Sequence, residues 1–396
     1  MNDIEALLRG VLPEKKKKPG VSKKREIHDL IDGKYVAENV FLIENKFKIN
    51  YEHNGNKLIK YQVHPLILKY SGLDKANIEN LLFIDTETTG LAGGTGTYVF
   101  QIGIGFFKED EFVLKQFFLT DIASEKCLID ELLKEVDRQS VYVSYNGKSY
   151  DIPLINARSI FNKCIGKLNK FNNIDLLHIS RRFWRDMLEN YSLQNIERNI
   201  LNSNREGELD IPGSEIPDAY FSYLDTRDAT TMKNVIYHNK LDILSLTILL
   251  EKINKILYSG NFENVNLFEI GRLYQQNEYL EQAISIFENI LEFDASNLSA
   301  IKQLSFIYKR NGDLTQACKL WLRVIEHDEQ YAYIELAKWE EHKNNDYKKA
   351  LEYTEKALNS KYEDYIYEGE EIKKMKHRKR RLETLLKKDI KPKCDH

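Results

Sequence analysis

Apolar positions alternate in places through residues 33–70, as at Val40 and Leu42 and then at Phe47, Ile49 and Tyr51. Asn54-Gly55 falls between apolar stretches and predicts a hairpin turn in a small β-rich lead-in. Leu81, Leu82, Phe83 and Ile84 are continuously apolar, the pattern of a fully buried strand. Two further strands follow, one through Tyr98, Val99, Phe100, Ile102, Ile104 and Phe106 and one over Phe112–Leu119. From Glu125 to Val136 the period becomes helical, with Leu128, Leu132, Leu133 and Val136 on one face. A strand at 141–145 gives way to a turn at Asn146-Gly147 and a helix from about Asp151, where Pro153 suits the first turn. Asn173–His178 reads as a short strand and Arg181–Arg185 as a basic helix, while the prolines of 210–217 mark a loop. Leu241, Leu244, Ile248 and Leu249 predict a helix packed on a sheet.

Beyond Gly260 the period changes again. Ile270-Gly271, Tyr274, Ala283, Phe287 and Ile290 recur 34 residues later as Leu304-Ser305, Tyr308, Ala317, Trp321 and Val324. A third, shifted copy runs through Leu336-Ala337, Ala350 and Ala357. That period predicts a tetratricopeptide-like helical array with a concave binding surface. The expected organisation is a flexible basic arm (1–32), a β-rich lead-in (33–70), an α/β domain (71–260), helical repeats (261–360) and a basic helical tail (361–396).

Composition narrows the function less than the pattern does. The chain has 396 residues and a formal net charge of −3, so any nucleic-acid contact must come from local patches rather than a global basic field. Cys127, Cys164, Cys318 and Cys394 are scattered without metal-ligand or disulfide-framework spacing. No apolar run reaches membrane-spanning length and no signal-peptide core stands at the N-terminus, so a cytoplasmic protein is expected. The basic residues between Lys15 and Arg25 read as a disordered tail or as an arm touching phosphates.

Candidate chemistry concentrates in three stretches. In Asp85-Thr86-Glu87-Thr88-Thr89-Gly90-Leu91, Asp85 and Glu87 leave a strand on the same face. Neighbouring carboxylates repel, and a hard cation such as Mg²⁺ or Mn²⁺ relieves that repulsion. Asp151 follows Asn146-Gly147, and taken alone is a helix-capping carboxylate. His238 and Asp242, at i and i+4, share one helical face. The three stretches together resemble the motifs of DEDD-type 3′–5′ exonucleases, built on a ribonuclease H-like mixed sheet flanked by helices. A wider pattern is similar to the bacterial YprB-like group: Gly-Gly-Thr-Gly-Thr at 93–97, Asp-Ile-Pro-Gly-x-Glu-Ile-Pro at 210–217 and His-Asn-x-x-Asp-Ile-x-Ser-Leu at 238–246.

The resemblance implies a phosphodiester hydrolase acting on DNA or RNA, with two Mg²⁺ or Mn²⁺ ions held by Asp85, Glu87, Asp151 and Asp242. His238 would be the general base. Thr86, Thr88 and Leu91 would line the pocket for the terminal nucleotide, and Asn146 would lie near the scissile one. One departure stands out. These exonucleases place a catalytic His five residues before the last Asp, or a Tyr four before, whereas here His238 takes the four-residue spacing and Tyr237 the five. Two other readings stay open: a structure-specific endonuclease using the same metals, and an interaction protein in which the repeats bind a partner and the nuclease fold is a platform.

Overall fold

The computed structural model describes residues 24–73, 75–90, 96–136, 141–164, 172–205, 210–360 and 368–389. The expected loop glycines Gly93 and Gly94, the basic residues up to Lys23 and the ends of the tail lie outside them. Two compact units divide the chain. Among the described residues, the first comprises those up to Val63 together with Lys75–Leu177 and Ser192–Asn254. The second takes in those from His64 to Leu73, His178–Tyr191 and those from Lys255 onward.

In chain order the described residues open with α1 (Ile27–Leu30), β1 (Lys34–Ala37), β2 (Val40–Lys48) and the short hairpin β3 (Glu52–His53) and β4 (Asn56–Lys57). Asn54 and Gly55 both take positive φ, 48° and 76°, as the predicted two-residue turn requires. After α2 (Pro65–Tyr70) come β5 (Leu81–Thr88), β6 (Val99–Lys108), β7 (Glu111–Leu119), α3 (Glu125–Val136) and β8 (Val141–Ser144). Then follow α4 (Asp151–Phe161), β9 (Asn172–Asp175), α5 (Leu176–Phe183), α6 (Leu193–Asn199), α7 (Ile216–Thr226) and α8 (Met232–Ser259).

Seven strands form one mixed sheet in the order β1-β2-β7-β6-β5-β8-β9. β5 is antiparallel to β6 and parallel to β8, and β8 is parallel to β9. The β-rich lead-in joins this sheet, because the whole of β2 pairs with β7. β5 is central and fully buried from Leu81 to Ile84. One of its faces, through Leu82 and Ile84, packs in a cluster with Ile102 and Ile104 of β6, Leu128 and Leu132 of α3, Leu154 and Ile155 of α4, and Tyr220 of α7.

The other face receives α8. Its approach depends on Gly103 and Gly105, alternate residues of β6 opposite Asp85 and Phe83. A β-carbon at Gly103 would lie 2.2 Å from Asn239 Oδ1, and one at Gly105 would lie 2.7 Å from Ile243 Cγ2. The two missing side chains allow the helix to lie close enough for its polar residues to reach β5.

In the second unit, α9 (Leu267–Gln276), α10 (Leu280–Phe293), α11 (Leu298–Arg310), α12 (Leu314–Val324), α13 (Gln330–Trp339) and α14 (Tyr347–Asn359) pack each on the next. Ala283, Ala317 and Ala350 are fully buried, as small residues between closely packed helices must be. The basic tail forms α15 (Glu368–Asp389). Met375 packs with Tyr333 and Ala357, and Arg378 and Arg381 both bind Glu341. Among the described residues no helix is long and apolar enough to cross a membrane.

Candidate metal centre and active site

Three elements of the first unit bring the motif residues together. β5 carries Asp85 and Glu87, α4 begins at Asp151, and α8 carries His238, Asn239 and Asp242. One ligand atom each from Glu87, His238 and Asp242 lie within 4.8 Å of one another. Asn239 Nδ2 donates to Asp85 Oδ2 at 2.8 Å, which fixes that carboxylate against α8. Thr86 points to the opposite face and donates its hydroxyl to Asp151. Thr88 Oγ1 donates to Gly90 O at 2.8 Å and lies 3.1 Å from the Tyr150 hydroxyl. Asn146 is exposed, with a positive φ of 62°, and its N–H donates to Asp175 Oδ1 at 2.9 Å. Asp175 also accepts from Lys148 N at 3.1 Å and Leu177 N at 3.1 Å, so it shapes the turn that delivers Asp151. Leu91 lies outside the described residues.

The carboxylates crowd one another in a desolvated place. Burial pushes Asp85 and Glu87 well above the ordinary carboxylate range, and the charges of Asp242 and Asp151 push them further. Burial also raises Asp151, to about 6, against the opposing hydrogen bond from Thr86. Glu87 Oε1 is buried without a hydrogen-bond partner. The side-chain amide of Gln101, opposite Glu87 in the β5–β6 register and fully buried, is likewise unpartnered.

Among the described residues, Arg205 is the arginine that reaches this group. Its guanidinium binds Asp242, takes Glu197 with Nε at 2.7 Å and Nη2 at 2.9 Å, and lies with Nη1 3.1 Å from His238 Nδ1. Glu197 is anchored in turn by Ser245 Oγ, 2.5 Å away. His238 Nδ1 is 2.7 Å from Asp210 Oδ1, which orients the ring and leaves Nε2 3.5 Å from Asp242 Oδ2. Burial alone would lower the His238 pKa, but the charge of Asp242 and the bond to Asp210 raise it above 6.5.

This donor set fits a hard divalent cation. It offers carboxylate oxygens and an imidazole, and Glu87 Oε1 needs a partner that no described residue supplies. Arg205 offsets part of the charge of Asp85, Glu87 and Asp242 and, with Asp151 beside them, leaves a negative excess for a bound ion to neutralise. Sequence reasoning reached the carboxylates and His238 but not Arg205, Asn239, Glu197 or Gln101. Arg205 sits in a loop without periodicity. Asn239, adjacent to His238, was the one with a local signal.

A family model described as the RNase_H superfamily matches residues 82–254. "Uncharacterized protein YprB" of Bacillus subtilis (strain 168) is 34% identical over 292 residues, covering 71% of this chain and 70% of that protein. Among solved structures, the family B DNA polymerase of the archaeon Pyrobaculum calidifontis aligns at 14% identity and a TM-score of 0.35. That alignment covers 70% of this chain, which spans about a third (34%) of the polymerase chain.

Proposed function

On the premise that this chain belongs to the RNase H superfamily and is a relative of Bacillus subtilis YprB, we propose that it is a divalent-metal-dependent nuclease of the DEDD type that removes nucleotides from 3′ ends. The observation that carries the reading is the convergence of Asp85, Glu87, Asp151, Asp242 and His238 from three separate elements around an unpartnered, buried Glu87 oxygen. Two Mg²⁺ or Mn²⁺ ions would be held by the four carboxylates. Such ions neutralise the phosphate's developing charge and acidify water.

The chain's own residues divide the remaining work. Asn239 and Thr86 hold Asp85 and Asp151 in place from opposite faces of β5. Asp210 fixes the His238 ring through Nδ1, so that Nε2, which lies 3.5 Å from both Arg205 Nη1 and Asp242 Oδ2, is the nitrogen that would accept a proton from water. Arg205, braced by Glu197, keeps Asp242 in one orientation. Thr86, Thr88, Leu91 and Asn146 are proposed to contact the terminal nucleotides. The helix pairs of the second unit are read as tetratricopeptide-like repeats that bind substrate or a protein partner.

The test uses the full chain with 5′-labelled single- and double-stranded DNA and RNA, in Mn²⁺ or in EDTA. Products shortened stepwise from the 3′ end in Mn²⁺, and absent in EDTA and in Asp85→Asn, are expected. Internal cuts from the outset would make the enzyme an endonuclease. Equal turnover by Asp85→Asn would remove the assignment of the site.

A further inference from the structure

The second unit contains a cavity of about 490 Å³ whose lining is basic and aromatic. Arg181, Arg182 and Arg185 reach it from α5 and the turn beyond, Arg272 from α9, and Tyr70 and Tyr191 contribute rings. Three of the arginines are held by hydrogen bonds, and the four together are incompletely compensated. Arg185 Nη1 and Arg272 Nη1 both donate to the same oxygen, Glu269 Oε1, at 2.6 and 3.2 Å. Arg182 donates to a neutral partner, Gln276 Oε1, at 2.8 Å, and its guanidinium stands 5.2 Å from the centre of the Tyr70 ring. Arg181 is exposed. Four arginines thus line the cavity with two acids, Asp186 and Glu269.

That excess of planar guanidinium groups suits the non-bridging oxygens of phosphodiesters, which they bind in pairs. The tyrosines add what a phosphate alone would not need, flat faces for unpaired bases. Glu269, buried and shared by two arginines, holds their forks in place before any ligand arrives, so little ordering is left for binding to do. We propose that this cavity binds single-stranded nucleic acid through its backbone and one stacked base. The inference rests on the nuclease reading of the chain, for which it is the place where the helical unit grips the substrate strand. The carboxylates of an acidic peptide would satisfy the arginines but offer no flat face to set beside the Tyr70 ring and Arg182, so nucleic acid is favoured.

Fluorescence anisotropy of a labelled oligothymidylate with the full chain in EDTA tests this without turnover. The comparison is wild type, Arg181→Glu/Arg272→Glu and Arg181→Lys/Arg272→Lys, each checked by thermal melting, with Arg181→Glu alone at its exposed position should the double variant not fold. Charge reversal is expected to weaken binding about tenfold or more, and to lower the slope of log affinity against log salt by about 0.7 for each phosphate no longer neutralised. The lysine variant should keep the slope. With Mn²⁺, hydrolysis of the 4-nitrophenyl ester of thymidine 5′-monophosphate should be unchanged by charge reversal, since that ester has no strand to hold.

A folded charge-reversal variant with wild-type affinity and slope would overturn the proposal, as would no binding by wild type or stronger displacement by polyglutamate than by unlabelled oligonucleotide. The two readings fail separately. Binding lost in the variant with no Mn²⁺-dependent hydrolysis by wild type keeps this site and removes the nuclease. Hydrolysis by wild type with unaltered binding in the variant does the reverse.

Discussion

Asp242 is touched by a permanent cation, Arg205, on one side and by a titratable one, His238, on the other. The roles of these neighbours can be separated. With Nδ1 held by Asp210, His238→Ala should lower turnover by about 10² to 10⁴, the usual contribution of a positioned proton acceptor. Tyr237, about 100° away around the helix, should tolerate Phe. A crippled Tyr237→Phe beside a normal His238→Ala would exchange the roles. In the metal-free protein, an NMR titration should place the His238 midpoint above 6.5, and Asp210→Asn should lower it. The carboxylates make a second residue-scale prediction. A carboxyl with a raised folded pKa binds more protons folded than unfolded, so the metal-free protein loses stability as pH rises from about 4 through the value of about 6 at which Asp151 titrates. Asp85→Asn, which can still accept from Asn239, should therefore raise the melting temperature in EDTA at neutral pH by a few degrees, the size of about 1 kcal/mol in a domain of this length. A lower melting temperature would show that the carboxylate is not strained. These acids were legible because carboxylates spaced on strands and helices carry a local pattern. Arg205 and Glu197 were not, since their importance arises from partners 37 and 48 residues away in sequence.

At the scale of elements, the site depends on how closely α8 lies on the sheet. Alternation in β6 made its strand legible, and the apolar period of α8 made its helix legible. The spacing between them was not, because it is set by the absence of side chains at Gly103 and Gly105, which carries no periodic signal of its own. Asn239 cannot yield to a new methyl group there. It is fully buried, accepts from Gln116 Nε2 at 3.0 Å and donates to Asp85. Gly103→Ala should therefore cost about 1–3 kcal/mol in urea unfolding, the range for overpacked cores, and should weaken Mn²⁺ binding measured by calorimetry, because Asp85 loses its brace. Gly213→Ala, where a β-carbon meets nothing within 4 Å, is the control and should be near neutral. Equal stability of the two variants would mean that α8 has room to lift from the sheet without cost.

At the scale of the whole molecule, the change of period near Gly260 suggests a place to cut, but the units divide the chain differently. Residues from His64 to Leu73 and His178–Tyr191 belong with the helices beyond Lys255. Local periodicity marks where one kind of element gives way to another. It cannot mark which unit a short segment packs in, because that is decided by contacts made long afterwards in the chain. In the second unit, Arg185 is held by Glu269, Arg182 by Gln276, and the Phe183 carbonyl by Asn266 N at 2.6 Å. A chain ending at Gly260 keeps Arg182, Phe183, Trp184 and Arg185 but loses all three partners, and leaves two large buried side chains, Phe183 and Trp184, without most of the unit to which they belong. Exposing such aromatic surface favours aggregation. The shortened chain is expected to melt below the full-length protein and to elute partly as aggregates in size-exclusion chromatography. Replacing both Phe183 and Trp184 with Ser in that shortened chain should reduce the aggregation. A chain ending at Gly260 that is monodisperse and melts with the full-length protein would show instead that the 178–191 segment folds without the helices that follow Lys255.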